Sequence, residues 1–365
     1  MAIPYVNLVN QWQLEKNDLL PIIEEVLEKG HYVNSPNISQ FEEGISELCN
    51  VKYVVALNSG TDALMFALYC IGVRPGDEVI TVPNSFIATA AVIVRLGAKP
   101  IFVDVSEDQN INSDLIKKVI TEKTKAILPV HLTGRIANMN KIMKLGKRYK
   151  IPVIEDAAQA IGSMYNDKPS GSFGKVGCFS THPLKNLNSC GDGGFLTTND
   201  KNIYEQAEIL RSHGLVSRDV SAEFGFVSRM DSIQAAILNY RLMKLDDVIS
   251  KRRENAKYYL NSLNDKDIKL PIEKKHEFNT YHTFVIQVDQ RDDLKTYLKD
   301  NNIMTAIHYP IPIHLQPAAS KLDYKKGDFP MAERQSDQIL SLPVNQYLTR
   351  TDLKTIVKII NDFFI

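Results

Sequence analysis

Tryptophan occurs once and cysteine four times in 365 residues, and neither an excess of one charge nor a bilayer-length apolar run is present. Each shortage excludes something. Cys49, Cys70, Cys178 and Cys190 form no C-x-x-C pair, and none stands near a histidine at metal-ligand spacing. A disulfide-stapled scaffold and a metal site are therefore not indicated, and free thiols in a reducing compartment are the simpler reading. Lys plus Arg and Asp plus Glu both total 43, so the formal net charge is zero. That balance argues for neither nucleic acid nor an anionic membrane as partner. The opening residues lack the basic-then-apolar pattern of a targeting segment, and no apolar stretch nears the ~20 residues of a membrane helix. A cytoplasmic protein is the expectation. Internal repeats and low-complexity tracts are also missing.

What is present is a mixed α/β pattern. From about Val54 to Thr198, β-branched runs ("VVAL", "EVITV", "PIFVDV", "AILPVH", "PVIED", "GCFSTH", "GFLTT") alternate with amphipathic stretches. The helical candidates among these are Thr61–Ile71, Ser85–Leu96, Asp114–Ile120 and Met139–Tyr149. Nearly continuous apolar strands separated by helices imply a mostly parallel sheet covered on both faces. After Thr198 the character changes. Residues 201–213 and 229–263 predict long helices, the second too long to run unbroken and expected to bend near Lys244–Asp247. A strand-like "YHTFVIQV", a helix near Arg291–Asn301, a Pro/His loop and a final helix near Thr351–Phe363 follow. The expected organisation is a large domain over 1–245 and a small C-terminal α+β domain over 246–365.

Three segments carry chemistry. In "NSGTDAL" (Asn58–Leu64) a strand ends in a small-residue turn and a helix starts at Thr61. Free backbone N–H groups and the helix dipole suit an anion there, although an ordinary helix cap would look the same. In "VIEDAAQA", Asp156 ends a strand, where open α/β sheets present ligands. A carboxylate in that place can hold a ring nitrogen protonated, or cap a helix, and Gln159 follows three residues on. "GCFSTHPLKNLNSCGDGGFLTT" sets Lys185 in a polar, glycine-rich loop between two strands. Most loop lysines are merely solvated, but a desolvated one becomes a nucleophile for carbonyls. A phosphate turn, an acidic strand end and a loop lysine are together the parts needed for pyridoxal 5′-phosphate (PLP).

The chain resembles the DegT/DnrJ/EryC1/StrS family of sugar-nucleotide aminotransferases nearly end to end. The resemblance is carried by "NSGTDAL", "GDEVITVPNSFIATA", "KTKAILPVHLTG", "VIEDAAQA", "KNLNSCGDGG", "SRMDSIQAAIL" and "IHYPIPIHLQP" in the family's order. It implies a fold-type I architecture, with a mostly parallel seven-stranded sheet in the large domain, and a PLP-dependent transaminase that passes through the pyridoxamine form. By the same resemblance, Lys185 would hold the cofactor as a Schiff base and shuttle protons, and Asp156 would pair with the pyridine nitrogen. Gln159 would bond the ring hydroxyl and Phe86 would stack on the ring. Gly60, Thr61 and Ser180 would hold the phosphate. Without the resemblance, Phe86 is a core aromatic and Ser180 an ordinary strand-end hydroxyl.

The resemblance further implies a homodimer with shared active sites, in which the Tyr32–Ser35 loop is a candidate contributed in trans. One departure stands out. Where the family often has an Asn that reaches the cofactor phosphate of the neighbouring subunit, this chain has Val227, which cannot donate a hydrogen bond. The implied donor is an amino acid, L-glutamate by default, and the implied acceptor a keto sugar. "KNL…GDGG" resembles enzymes acting at C3 more than those acting at C4. "THPL" before the lysine differs from the family's aromatic-rich pattern, which leaves open an unusual acceptor such as a sugar phosphate. His308, Tyr309 and His314 are candidates to line the acceptor pocket, with a proline-stiffened connection the bland alternative. Sugar dehydration is disfavoured by the lysine at 185. A non-catalytic regulatory relative and an aldolase or racemase acting on amino acids alone are the other competing readings.

Overall fold

The computed structural model describes residues 2–264 and 266–365. Its centre is a sheet made of Tyr53–Leu57 (β1), Glu78–Thr81 (β2), Lys99–Phe102 (β3), Thr124–Ile127 (β4), Ile154–Asp156 (β5), Val176–Ser180 (β6) and Gly194–Thr198 (β7). β2 pairs in parallel with β3 and β4, and β5 in parallel with β6, while β7 runs antiparallel between β6 and β1. Parallel bridges Ile127–Val153 and Val130–Asp156 join the two sets. The order is therefore β3-β2-β4-β5-β6-β7-β1, a mostly parallel sheet of seven strands with β7 alone reversed.

Side-chain alternation along these strands builds two cores. Val55, Leu57, Cys178 and Leu196 face one side, where the helix Gly60–Cys70 packs Ala63, Leu64, Phe66 and Ala67 against them. Val54, Ala56, Phe179 and Phe195 face the other side and meet Phe41 and Ile45 of the helix Pro36–Cys49. Phe179 and Phe195 stack with ring centroids 4.7 Å apart. Each fully buried aromatic of this kind contributes about 1.5–3 kcal/mol. Because both faces are covered, the strands read as continuous apolar runs rather than as alternating ones.

The long C-terminal helical stretch is two helices, Ser232–Leu242 and Leu245–Ser262, separated at Met243–Lys244. The second of them enters a separate core with the antiparallel strands Phe284–Gln287 and Ile339–Leu342 and the helices Arg291–Asp300 and Arg350–Phe363. Tyr259, Phe284, Leu294, Leu340 and Ile356 are fully buried there. Thr349 and Asp352 form a reciprocal capping box that starts the last helix. Ile3 also packs in this C-terminal core, and its N–H donates to the Asn302 carbonyl at 2.8 Å. The extreme N-terminus, grouped by sequence with the large domain, thus touches the C-terminal unit. Among the described residues no helix is long and apolar enough to cross a membrane.

Candidate active site

β1, β5 and β6 all end at the same edge of the sheet, and the loops leaving them surround a cavity of about 460 Å³. This is the carboxyl edge, where α/β sheets bind ligands. Ser59 follows β1 and caps the helix Gly60–Cys70, its hydroxyl accepting from the Asp62 N–H at 3.1 Å. The N–H groups of Gly60 and Thr61 have no protein acceptor among the described residues, and both residues line the cavity. Ser180, at the end of β6, stands beside them. A Cβ added to Gly60 would lie 2.8 Å from the Ser180 Cβ and 3.2 Å from the Phe179 carbonyl, so only glycine lets the two chains approach this closely. The helix dipole, two free N–H groups and two hydroxyls make a cradle for a dianion.

Asp156 ends β5 and is buried. Its Oδ2 accepts from the Thr89 hydroxyl at 2.8 Å and its Oδ1 from the Ala158 N–H at 3.3 Å. No Lys, Arg or His pairs with it directly among the described residues. Burial raises its pKa above the usual carboxylate range; the two hydrogen bonds and the positive charge of Lys185 oppose that rise. A buried carboxylate without a cationic partner is suited to receive a protonated ring nitrogen.

The lysine is held by its neighbours. Asn186, Leu187 and Asn188 are buried. Asn186 donates to the Thr280 carbonyl at 3.2 Å, and Asn188 to Pro183 O at 2.8 Å and Gln11 Oε1 at 3.0 Å. The Lys185 N–H donates to the His182 carbonyl at 2.8 Å, closing the turn that leaves its half-buried side chain on the cavity wall. Burial lowers the Lys185 pKa to about 8, with the Asp156 charge pulling the other way. A useful fraction of neutral amine therefore exists near neutrality.

Gln159 accepts from the Thr133 N–H at 2.7 Å and donates to the Tyr309 hydroxyl at 3.3 Å. Phe86, 57% exposed, lies with its ring 5.9 Å from that of Tyr309. An aromatic this exposed at a cavity wall is a platform without a partner rather than a core residue. His308 lines the same cavity, its Nδ1 2.9 Å from the Ser341 hydroxyl. Burial, with Lys185 adding to it, lowers His308 to about 4, so the ring is neutral. The structure does not bring His314 here. Its side chain is fully enclosed, with Nε2 2.9 Å from Glu333 Oε1 and its ring edge-on to Phe329 at 4.7 Å. Ile313 and Phe329 belong to the large-domain core, which draws His314 away from the cavity.

Sequence reasoning missed several cavity residues, among them Tyr5, Thr89, Arg252, His282 and Asn345. Tyr5 and Asn345 lie near opposite ends of the chain and meet because Asn345 Nδ2 donates to the Tyr5 carbonyl at 3.1 Å. Thr89 falls in the quoted "NSFIATA" segment, and its spacing after Phe86 was the one available signal. Tyr32 and Val33 are exposed and line no part of their own chain's cavity; neither does Val227, which is 54% exposed.

The family model described as the DegT/DnrJ/EryC1/StrS aminotransferase family matches residues 13–361. The chain belongs to that family. It is 37% identical over 368 residues to the "Pleiotropic regulatory protein" of Geobacillus stearothermophilus, covering 100% of this chain and 99% of that one. It is 35% identical over 355 residues to the UDP-2-acetamido-2-deoxy-3-oxo-D-glucuronate aminotransferase of Pseudomonas aeruginosa, with 97% and 98% covered. Among solved structures, Streptomyces venezuelae DesV in complex with a ketimine intermediate superposes with a TM-score of 0.97 at 34% identity, covering 99% of this chain and 98% of that one. As a member of this family the protein is a PLP-dependent aminotransferase. The cavity fits that cofactor on its own terms: an anion cradle of free N–H groups, a buried carboxylate without a cationic partner among the described residues, and a lysine of lowered pKa line one cavity.

Proposed function

We propose that this aminotransferase moves the amino group of an amino acid, L-glutamate by preference, onto a 3-keto sugar nucleotide. One observation carries the reading. Lys185 Nζ, the unpartnered carboxylate of Asp156 and the free N–H groups of Gly60 and Thr61 border a single cavity. Support for the acceptor comes from the Pseudomonas aeruginosa relative, whose name specifies a 3-oxo sugar nucleotide. An amino-sugar product suits polysaccharide or secondary-metabolite assembly.

Each residue has a task. The N–H groups of Gly60 and Thr61, with the hydroxyls of Thr61 and Ser180, would hold the cofactor phosphate. Asp156 would hold a proton on the ring nitrogen, with Thr89 fixing that carboxylate. Gln159 would bond the ring hydroxyl, and Phe86 would cover the ring face and exclude water. Lys185 would hold the cofactor through Nζ, and its free amine would take a proton from the amino-acid carbon and return one to the sugar carbon. The cofactor, when bound, supplies the electron sink that neither substrate has. His308 and Tyr309 contact the acceptor, their neutral rings offering both a face and a hydrogen bond.

The unit of function is a homodimer. Tyr32, Val33 and Val227 are exposed and lie outside their own cavity, and Ser228 ties the segment after Val227 to the anion turn through Asp62 Oδ2 at 2.7 Å. Such side chains serve a neighbouring subunit better than their own.

The test is visible absorbance of the purified protein reconstituted with PLP, read before and after L-glutamate and then after a 3-keto sugar nucleotide. The band of the lysine-bound cofactor should fall with the first addition and return with the second. Return only with a 4-keto sugar nucleotide or a keto sugar phosphate would move the acceptor and leave the transaminase. The Geobacillus relative's name favours one second reading, a regulatory protein. That reading predicts no response to any amino acid.

A further inference from the structure

Arg252 lies within the helix Leu245–Ser262, is 4% exposed, and lines the same cavity from the C-terminal unit. A guanidinium removed from water is costly unless an anion or a full set of acceptors replaces the solvent. Here the replacement is incomplete. Nη1 donates to the carbonyls of Tyr281 at 3.3 Å and His282 at 3.1 Å. Nε is enclosed and has no acceptor. Nη2 has none either among the described residues, and it is not enclosed, so it opens on the cavity. The ionisable groups that act on its charge are the phenols of Tyr5 and Tyr347, both of raised pKa and so neutral at pH 7, and no carboxylate is among them. Burial lowers Arg252 only to about 10, so it remains a cation at neutral pH. Its neighbour His282 also leaves Nδ1 enclosed without a partner.

Two backbone carbonyls thus hold a buried cation at the active-site cavity, and among the described residues no carboxylate pairs with it. The cofactor has no call on it, because the anion cradle is built from the β1 and β6 edges and the ring carboxylate comes from β5. An anionic substrate group is what remains. An α-amino acid brings a carboxylate next to the very atom that must reach Lys185. A carboxylate oxygen can accept a charge-assisted hydrogen bond from Nη2, the guanidinium nitrogen left without an acceptor and not enclosed.

We propose that Arg252 is the carboxylate anchor of the active site, binding the donor amino acid through Nη2. The proposal rests on the aminotransferase reading for its substrate but not for its chemistry. A carboxylate can also arrive on a uronate sugar, so the test separates the two sources. PLP-loaded wild type, Arg252→Gln and Arg252→Lys are titrated spectroscopically with L-glutamate, L-glutamine and the α-amide of glutamate. Arg252→Gln should weaken L-glutamate by about 10- to 100-fold, the loss of a charge-assisted pair. The penalty should vanish for whichever amide lacks the anchored carboxylate. Arg252→Lys, keeping the charge and losing the fixed donor direction of Nη2, should fall between. A penalty confined to a uronate sugar nucleotide, relative to its neutral hexose counterpart, assigns the carboxylate to the acceptor.

Succinate, which has no amino group to transfer, gives the independent readout. It should raise the melting temperature of the wild type and not that of Arg252→Gln. Should that variant not fold, Arg252→Lys carries both measurements. Equal responses of wild type and variants in the amino-acid, sugar and succinate arms overturn the proposal. A wild type that succinate stabilises through Arg252, but that no amino acid bleaches, overturns the transaminase reading and keeps the anchor.

Discussion

Lys185 stands where burial favours the neutral amine, and that has a stability consequence separate from catalysis. Its pKa is lowered in the folded chain, so below about 8 the folded state carries a penalised charge that the unfolded state does not. Between about 8 and the ordinary lysine value near 10.4 the unfolded chain binds the extra proton, and stability from this group rises with pH. Lys185→Met should therefore lose covalent cofactor, yet melt higher than wild-type apoprotein at pH 7. The margin should be on the order of 2 kcal/mol and should shrink as pH climbs past 8. Thermal melts of both apoproteins across that range check it; a constant margin would mean the amine is solvated. Asp156→Asn keeps the shape and removes the charge. It should loosen PLP by about 10- to 100-fold, measured by dialysis and cofactor fluorescence, since a charge-assisted pair is replaced by a neutral one. Both residues were legible because each sits in a short local signature, a strand end or a glycine-rich loop. Arg252 was not. On a polar helix an arginine reads as solvated, and only the docking of Leu245–Ser262 against the Tyr281–His282 backbone buries it.

Elements were most legible where local and tertiary preferences agree. Met139–Tyr149 has the bounds the sequence predicts, set by Asn138, whose side chain accepts from the Lys141 N–H. The helix expected over Ser85–Leu96 shortens to Ala88–Arg95 because Ser85 and Phe86 are spent on the cavity wall. The helices Leu8–Lys29 and Pro36–Cys49 went unnoticed. Pro21 inside the first argues against a helix, and its apolar face is weak until Leu19 meets Ile237 and Tyr240. His314 was misplaced for a related reason: a Pro/His loop looks like pocket lining until Phe329 and Glu333 enclose it. Glycines at the anion turn allow a graded test. A Cβ at Gly194 would fall 2.4 Å from the Gly60 nitrogen and the Ser59 carbonyl carbon, both backbone, whereas one at Gly60 meets the Ser180 Cβ at 2.8 Å and backbone atoms no closer than 3.1 Å. Gly194→Ala should cost more stability than Gly60→Ala, roughly 3 kcal/mol against 1–2 kcal/mol, because backbone cannot move aside. Denaturant melts give the order, and the reverse order would mean the turn relaxes as a unit.

At the scale of the whole molecule, one face is unfinished. The hairpin of Leu215–Ser217 and Val220–Ser221 and the segment after it expose Val216, Val220, Phe226 and Val227, and Phe224 is completely exposed. Large apolar side chains gathered in one short segment mark an interaction surface, and the proposed second subunit is the partner that would cover it. The hairpin returns through Phe226 and Ser228 to the anion turn, so the proposed interface and the cofactor cradle share a segment. Phe224→Asp should therefore weaken the dimer by roughly 30-fold or more, as expected for loss of a buried aromatic anchor, and light scattering across a dilution series reads it directly. Its effect on the cofactor follows from Val227, which has no hydrogen bond to give. The groups proposed for the phosphate, Gly60, Thr61 and Ser180, all belong to one chain. The monomeric variant should bind PLP nearly as tightly as the dimer in a spectral titration while losing turnover, because the acceptor side of the cavity opens to water. Loss of PLP in step with the dimer would show that the partner supplies a phosphate contact other than the one residue 227 lacks.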